Sequence, residues 1–170
     1  MKPTPMLLAA TALIALAGCK KKPPADLPPP PGPPVATAPT GPAYDPNAVV
    51  PGSRADFMRS VTSDTVNFGL DQYDIDSQAR AILDTQAQWL QRYPNVRVTL
   101  EGHCDERGTR EYNIALGDRR ANAAKNYLAA RGIDPSRIST ISYGKERPVA
   151  LGSDEASWAQ NRRSVTVVLN

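Results

Sequence analysis

Three adjacent residues, His103, Cys104 and Asp105, carry side chains of the kinds used in nucleophilic catalysis and metal binding. Neighbouring residues of an extended segment point to opposite faces, so His103 and Cys104 cannot easily converge on one atom. The chain has a single histidine, which leaves no second imidazole for a zinc site, and it lacks a Gly-x-Ser-x-Gly nucleophile turn. We therefore expect a protein that is not an enzyme and holds neither metal nor cofactor, with His103 hydrogen-bonded inside its loop.

A pair of opposite charges, Asp105 and Arg120, is the second candidate for chemistry. The planar fork of an arginine can bind a carboxylate in a bidentate manner, which lysine cannot do. Asn113 lies seven residues before Arg120, so the two fall on the same face of a helix. Residue types alone leave two interpretations open, a ligand-binding pair or a structural salt bridge beside a helix end, and they favour the salt bridge.

Alternating strand and helix patterns begin after Ser53 and supply the elements that would position these residues. Val96, Val98 and Leu100 alternate with polar residues, which is the period of a half-buried strand. The patterns predict strands at 65–68, 96–101, 138–143 and 164–169, and a polar loop at 102–110. They also predict a helix that has its N-cap within 74–77 and runs to about 92, and further helices at 111–130 and 154–160. This order predicts an α+β fold with a mixed four-stranded sheet and helices on one face.

Two helical stripes indicate which side of each long helix faces the core. The stripe of the first helix consists of Ala79, Ile82, Leu83, Gln86 and Leu90. The stripe of the second helix consists of Ile114, Gly117, Ala121, Ala124 and Leu128. Because the second stripe is rich in small residues, it predicts a close approach of that helix to the sheet.

The start of the chain has the layout of a lipoprotein export signal. Lys2 precedes an apolar run at 6–17, which as a helix would span only ~18 Å of a hydrocarbon core ~30 Å thick. The run leads into the tetrapeptide Leu-Ala-Gly-Cys, which ends at Cys19 and resembles the lipobox of bacterial lipoproteins. We predict that residues 1–18 are a signal peptide that is removed and that Cys19 is lipidated. The alternative is an ordinary secreted protein with a chance cysteine at this point.

Composition divides the remaining chain into a tether at 19–52 and a folded domain at 53–170. The tether contains 12 of the 17 prolines and almost no large apolar side chains, so it cannot bury enough surface to offset the entropy of ordering. We expect it to be disordered and extended. The chain has 20 Lys and Arg residues against 17 Asp and Glu residues, and the mixture of signs in the domain argues against nucleic-acid binding.

The segments around the candidate pair carry a resemblance to a known family. Residues 101–108 read EGHCDERG and residues 112–123 read YNIALGDRRANA. Further matching positions are 66–68, 71, 73–75, 142–148 and 161–163. In this pattern the chain resembles the OmpA-like peptidoglycan-binding family over about 65–169. The lipobox and the proline-rich tether add a resemblance to the lipid-anchored members of that family that belong to the Tol–Pal system.

The resemblance implies an OmpA-like βαβαβ(α)β sandwich that binds the diaminopimelate residue of peptidoglycan. The diaminopimelate side chain ends in both an ammonium and a carboxylate, so its site must present an anion and a cation close together. The resemblance implies those roles for Asp105 and Arg120. The ligand-binding residues that the family pattern implies are Asp71, Asp105, Asn113, Leu116, Arg120 and Arg162.

The resemblance also implies a location and partners. Lys20, and not an aspartate, follows Cys19, so the lipid is expected in the outer membrane, with the domain in the periplasm. The implied partners are peptidoglycan, TolB and other Tol–Pal components, in a role that supports envelope integrity and cell division. The alternative is a structural or assembly lipoprotein whose domain mainly binds a protein partner.

Two positions depart from the family pattern. Gly69 stands where members often carry aspartate, and we expect its small size to loosen the first-strand rim of the pocket. Cys104 stands where members carry alanine or threonine, and we expect it to behave as a small buried group without a role of its own.

Overall fold

The computed structural model describes residues 49–169. The predicted signal peptide, the predicted lipidation site Cys19 and the predicted tether as far as residue 48 lie outside the described residues. The helices are α1 (Arg54–Ser60), α2 (Ser77–Arg92), α3 (Arg110–Ala130) and α4 (Glu155–Asn161). The strands are β1 (Thr65–Asn67), β2 (Arg97–His103), β3 (Ile138–Gly144) and β4 (Arg163–Leu169). Across residues 49–169, none of the helices is both long and apolar enough to traverse a bilayer.

The four strands form one sheet in the order β1-β4-β2-β3. Strand β2 pairs in parallel with β3 and antiparallel with β4, and β1 pairs antiparallel with β4. Val98 of β2 therefore lies opposite Ile138 on one side and Val168 on the other. These pairings confirm the predicted α+β fold with a mixed four-stranded sheet, and they bring the end of β2 beside the start of β4.

The core lies between the sheet and the helices α2 and α3. From α2 it takes Ala79, Leu83, Ala87, Trp89 and Leu90, and from α3 it takes Ala121, Ala124 and Leu128. Gln86 is also buried, where its amide donates to Ser63 O and accepts from the Thr166 hydroxyl. Both predicted stripes thus face the core, although Ile82 and Ile114 are only half-buried.

Helix α3 touches the sheet backbone to backbone at two glycines. A Cβ atom built on Gly102 of β2 would lie 1.8 Å from the carbonyl oxygen of Gly117 in α3. A Cβ atom on Gly117 would meet the Ser142 hydroxyl at 2.4 Å. The close approach predicted from the small residues of α3 is therefore present, and it sets the distance between the helix and the end of β2.

The structure differs from the predicted elements mainly at helix α1 and at the end of strand β2. Helix α1 was not predicted, because its seven residues contain one buried apolar side chain, Phe57, whose ring packs edge-on against Trp89 with 4.9 Å between centroids. Strand β2 continues to His103, so the predicted loop boundary at residue 102 is wrong. The extension depends on pairing of Gly102 with Ser164 and Ser142, which are distant in sequence.

Candidate functional site

A pocket of about 300 Å³ opens where the loop after β1, the loop after β2 and the first three turns of α3 meet. Its walls are formed by Leu70, Asp71, Cys104, Asp105, Arg107, Gly108, Tyr112, Asn113, Leu116, Arg120 and Arg162. All six residues that the family pattern implied for ligand binding line this one pocket. The side chain of Thr109 accepts a hydrogen bond from Tyr112 N, which starts α3 at the pocket wall.

Asp105 provides the anion of the pocket and is 5% exposed. Its Oδ1 accepts hydrogen bonds from the backbone N and the Nε of Arg107, both at 3.1 Å. Its Oδ2 accepts from Arg107 Nη2 at 2.7 Å and from Arg162 Nη1 at 3.4 Å. Burial alone would raise the pKa of Asp105, but the hydrogen bonds from Arg107 outweigh it and hold this pKa below the ordinary value. The carboxylate is therefore ionised near neutral pH.

Arg120 lies under the floor of the pocket and has no exposed surface. Its Nε donates to Gln72 O at 2.8 Å, its Nη1 to His103 O at 2.8 Å, and its Nη2 to Gly69 O at 3.1 Å. The guanidinium thus joins the loop after β1 to the end of β2. The ion pairs of Asp105 in the described part of the chain are with Arg107 and Arg162, so the structural salt bridge considered for Asp105 and Arg120 is not formed.

Arg162 closes the pocket from the start of β4. Its Nε donates to Phe68 O at 3.0 Å, and its Nη2 donates to Glu155 Oε1 at 2.7 Å. Because Arg162 also contacts Asp105, it links the loop after β1 to the loop after β2. Arg162 and Arg120 together place two buried positive charges beside the Asp105 carboxylate.

The remaining predicted residues form the rim and one wall. Asp71 has a positive φ of 55° in the turn after β1, and its carboxylate accepts from the Tyr112 hydroxyl at 3.2 Å. Asn113 is buried and donates from Nδ2 to Arg107 O at 2.7 Å and to Thr109 O at 3.0 Å. Leu116 adds a buried apolar surface to the pocket wall.

Sequence reasoning missed Arg107, Tyr112 and Leu70 among the residues that line the pocket. Arg107 lies two residues after Asp105 inside the family motif, and this short spacing could have indicated that its side chain reaches the pocket. Its guanidinium stacks on the ring of Trp158 with 4.0 Å from Cζ to the ring centroid. No signal in the sequence indicated this stacking, because Trp158 belongs to α4.

The two departures from the family pattern have local explanations. At Gly69, the space for a Cβ atom is taken by the side chain of Gln72, whose Oε1 would lie 2.3 Å away. Cys104 is buried in the pocket wall, where its Sγ donates to Asn113 O at 3.3 Å. Burial raises the pKa of the Cys104 thiol, so the sulfur stays protonated.

His103 is buried behind the pocket, on the face of β2 away from the helices. The prediction that it hydrogen-bonds within its loop is wrong, because both ring nitrogens are buried without a hydrogen-bond partner among the described residues. Its Nε2 lies 3.5 Å from Glu101 Oε2, and its ring packs 5.5 Å from that of Tyr143. Among residues 49–169, no cluster of three His, Cys, Asp or Glu side chains could hold a metal ion.

Comparisons with known proteins identify the family of the chain. The model of the OmpA family matches residues 67–162. The peptidoglycan-associated lipoprotein of Rhizobium meliloti (strain 1021) is 48% identical over 166 residues, covering 96% of this chain and 87% of the relative. The lipoprotein of the same name from Brucella melitensis biotype 1 is 54% identical over 121 residues, covering 71% of each chain.

A solved structure of a relative has a similar fold. The crystal structure of the peptidoglycan-associated lipoprotein from Burkholderia pseudomallei has a TM-score of 0.62 and 45% sequence identity, covering 63% of this chain and 91% of that one. The chain therefore belongs to the OmpA family and, within it, to the peptidoglycan-associated lipoproteins.

Proposed function

We propose that the protein binds peptidoglycan noncovalently through diaminopimelate and links the outer membrane to the cell wall. The observation that carries the proposal is the convergence of all six implied ligand-binding residues on one pocket. Membership in a family of binding lipoproteins supports a binding role and not an enzymatic one. The names of the relatives associate those proteins with peptidoglycan.

The chemistry of the pocket suits the zwitterionic end of diaminopimelate. Asp105 provides the negative charge for the ammonium group, and the buried guanidiniums of Arg120 and Arg162 provide positive charge for the carboxylate. Leu116 and the exposed Leu70 offer apolar surface to the methylene chain between the two ends of the ligand. A charged pair in a walled pocket is worth more than the same pair in open water, because fewer water molecules screen it.

The proposed cellular arrangement depends on the lipid at Cys19 and on the domain at the other end of the tether. Lipid on Cys19 would hold the protein in the outer membrane, with the domain in the periplasm. A fully extended polyproline-like segment of 30 residues reaches at most ~90 Å, which allows the domain to bind the wall at some distance from the lipid. We propose TolB and other Tol–Pal components as protein partners, in a complex that supports envelope integrity and division.

Co-sedimentation with purified sacculi tests the binding proposal. The Asp105→Asn variant removes the charge for the ligand ammonium while keeping the shape of the side chain, so binding should weaken by about 2–5 kcal/mol. The Arg120→Lys variant should also bind more weakly, because an ammonium cannot hold the three carbonyls that the guanidinium spans.

The matched control is Asp84→Asn, which removes a different aspartate paired with an arginine, Arg131, at the far end of α3. This variant should sediment like the unaltered protein, and circular dichroism confirms the folding of all variants. If a folded Asp105→Asn protein also sediments like the unaltered protein, the pocket is not the peptidoglycan site. Retained binding to a protein partner would then favour the assembly-lipoprotein alternative.

A further inference from the structure

The Asp105 carboxylate has no acceptor site left for a ligand. A carboxylate has about four lone-pair positions, and four N–H donors already occupy those of Asp105. Three of these donors belong to Arg107, whose Nε and Nη2 bind the two carboxylate oxygens in a bidentate manner. An ammonium group can therefore reach Asp105 only if one of the present donors leaves.

The side chain of Arg107 is the donor with the most freedom to leave. Arg162 is 6% exposed and is held by Phe68 O and Glu155. The backbone of Arg107 is fixed, because its carbonyl accepts from Asn113, while Lys145 Nζ donates to Glu106 O and Gly108 O on either side. By contrast, the Arg107 side chain is 35% exposed.

Beyond Asp105, the Arg107 guanidinium is in contact with two further groups. It lies 4.0 Å from the Trp158 ring centroid, and its Nη1 lies 4.0 Å from Glu155 Oε2, a carboxylate that is 67% exposed. The indole Nε1 of Trp158 donates to Glu106 Oε1 at 3.0 Å, which fixes the ring next to the pocket mouth. A guanidinium displaced from Asp105 can slide on this ring without leaving the mouth.

We propose that Arg107 is a specificity-determining residue, which fills the ammonium position on Asp105 until a zwitterionic ligand exchanges partners with it. The ligand ammonium takes Asp105, and the released guanidinium takes the ligand carboxylate, which is bonded to the same carbon as the ammonium. Every charge is paired before and after this exchange. A ligand with an ammonium and no carboxylate leaves Arg107 with only the exposed Glu155 carboxylate, 4.0 Å from its Nη1, so Arg107 selects diaminopimelate over lysine. The inference rests on the proposed function and deepens it.

The test compares two soluble stem peptides, one with meso-diaminopimelate and one with lysine in its place, by calorimetric titration of the full chain in detergent. The unaltered protein should prefer the diaminopimelate peptide. In Arg107→Gln, this preference should fall by about tenfold or more, which is the range for loss of a charge-assisted hydrogen bond. Arg107→Lys keeps the positive charge but cannot bind a carboxylate in a bidentate manner, so it should retain part of the preference for the diaminopimelate peptide.

Arg131→Gln is the matched control, because Arg131 also pairs with an aspartate, Asp84, and stacks on an aromatic ring, that of Tyr127. It should keep the preference of the unaltered protein. A ratio in Arg107→Gln within twofold of that of the unaltered protein overturns the role of Arg107 and leaves the peptidoglycan proposal standing. If the unaltered protein binds neither peptide, the peptidoglycan proposal itself fails.

A second measurement needs no variant at position 107. The Nε–H resonance of Arg107 should shift when either peptide binds the unaltered protein, because the guanidinium leaves Asp105. It should stay protected from solvent exchange with the diaminopimelate peptide and lose protection with the lysine peptide. An Nε–H resonance that is unchanged in the saturated diaminopimelate complex shows that Arg107 never releases Asp105 and overturns the inference.

Discussion

The buried arginines of the pocket bind backbone as well as supplying charge. Arg120 holds three carbonyls and Arg162 holds one. Three of these carbonyls lie in the loop after β1, and the fourth, that of His103, lies at the end of β2. A buried carbonyl that loses its donor costs about 1–3 kcal/mol, so loss of Arg120 would affect loop positions as well as electrostatics. Charge and loop geometry are therefore coupled at this site, and conservative variants separate them better than alanine does.

His103 makes the stability of the domain depend on pH. Burial, followed by the charges of Arg163 and Arg147, lowers the pKa of His103 to about 4, from 6.5 in an unfolded chain. Glu101 is the acidic group that faces it, and it does not reverse this shift. Between these two pKa values the unfolded state binds a proton that the folded state does not, so stability falls as pH decreases from about 6.5 to about 4.

We expect His103 to account for a loss of about 2 kcal/mol in the free energy of unfolding between pH 7 and pH 5, measured by urea denaturation. The His103→Leu variant cannot titrate at this position, so its stability should be nearly flat over the same interval. Equal slopes in the two proteins would show that protonation of His103 does not limit the stability of the folded state.

At the scale of elements, the contact between α3 and β2 is the least tolerant packing in the domain. An added Cβ at Gly102 meets the backbone carbonyl of Gly117 at 1.8 Å, and backbone cannot rotate away as a side chain can. Gly102→Ala should therefore destabilise the fold by about 3 kcal/mol or more, as measured by urea denaturation.

Gly69→Ala is the control for this prediction. Its added Cβ meets only the end of the Gln72 side chain, which can adopt another rotamer, so the free energy of unfolding should change by less than about 1 kcal/mol. If the two alanine variants are equally stable, backbone contact at Gly102 does not set the position of α3.

Local patterns predicted the long elements well, because α2 and α3 each bury a continuous stripe and β4 alternates along its length. They missed α1, whose place depends on a single contact of Phe57 with Trp89. The family motif led to the six pocket residues, which spacing alone could not bring together. The bidentate ion pair of Arg107 with Asp105 could not be predicted, because it depends on a side-chain rotamer and on the position of Trp158.

At the scale of the whole molecule, membrane attachment should depend on Cys19 alone. Each buried CH₂ of an acyl chain contributes about 0.8 kcal/mol, so Cys19→Ala should abolish both labelling by a radioactive fatty acid and stable recovery with membranes. Cys104→Ala is the control, because Cys104 is buried in the pocket wall and should not affect labelling. Equal label in Cys19→Ala and the unaltered protein would rule out lipidation at this position.

The place where the tether joins the domain determines how the domain would carry mechanical tension. Helix α1 follows the tether, and its residues Asp56 and Phe57 contact Trp89 near the C-terminal end of α2. That end of α2 leads into the start of β2, whereas the pocket lies at the opposite end of β2. Under the proposed function, a pull between lipid and wall acts along a strand about 20 Å long. Hydrogen bonds to β3 and β4 run across that direction, so they share the load in shear and do not break one after another. If the protein works as proposed, strand β2 would thus carry the load between the tether and the pocket.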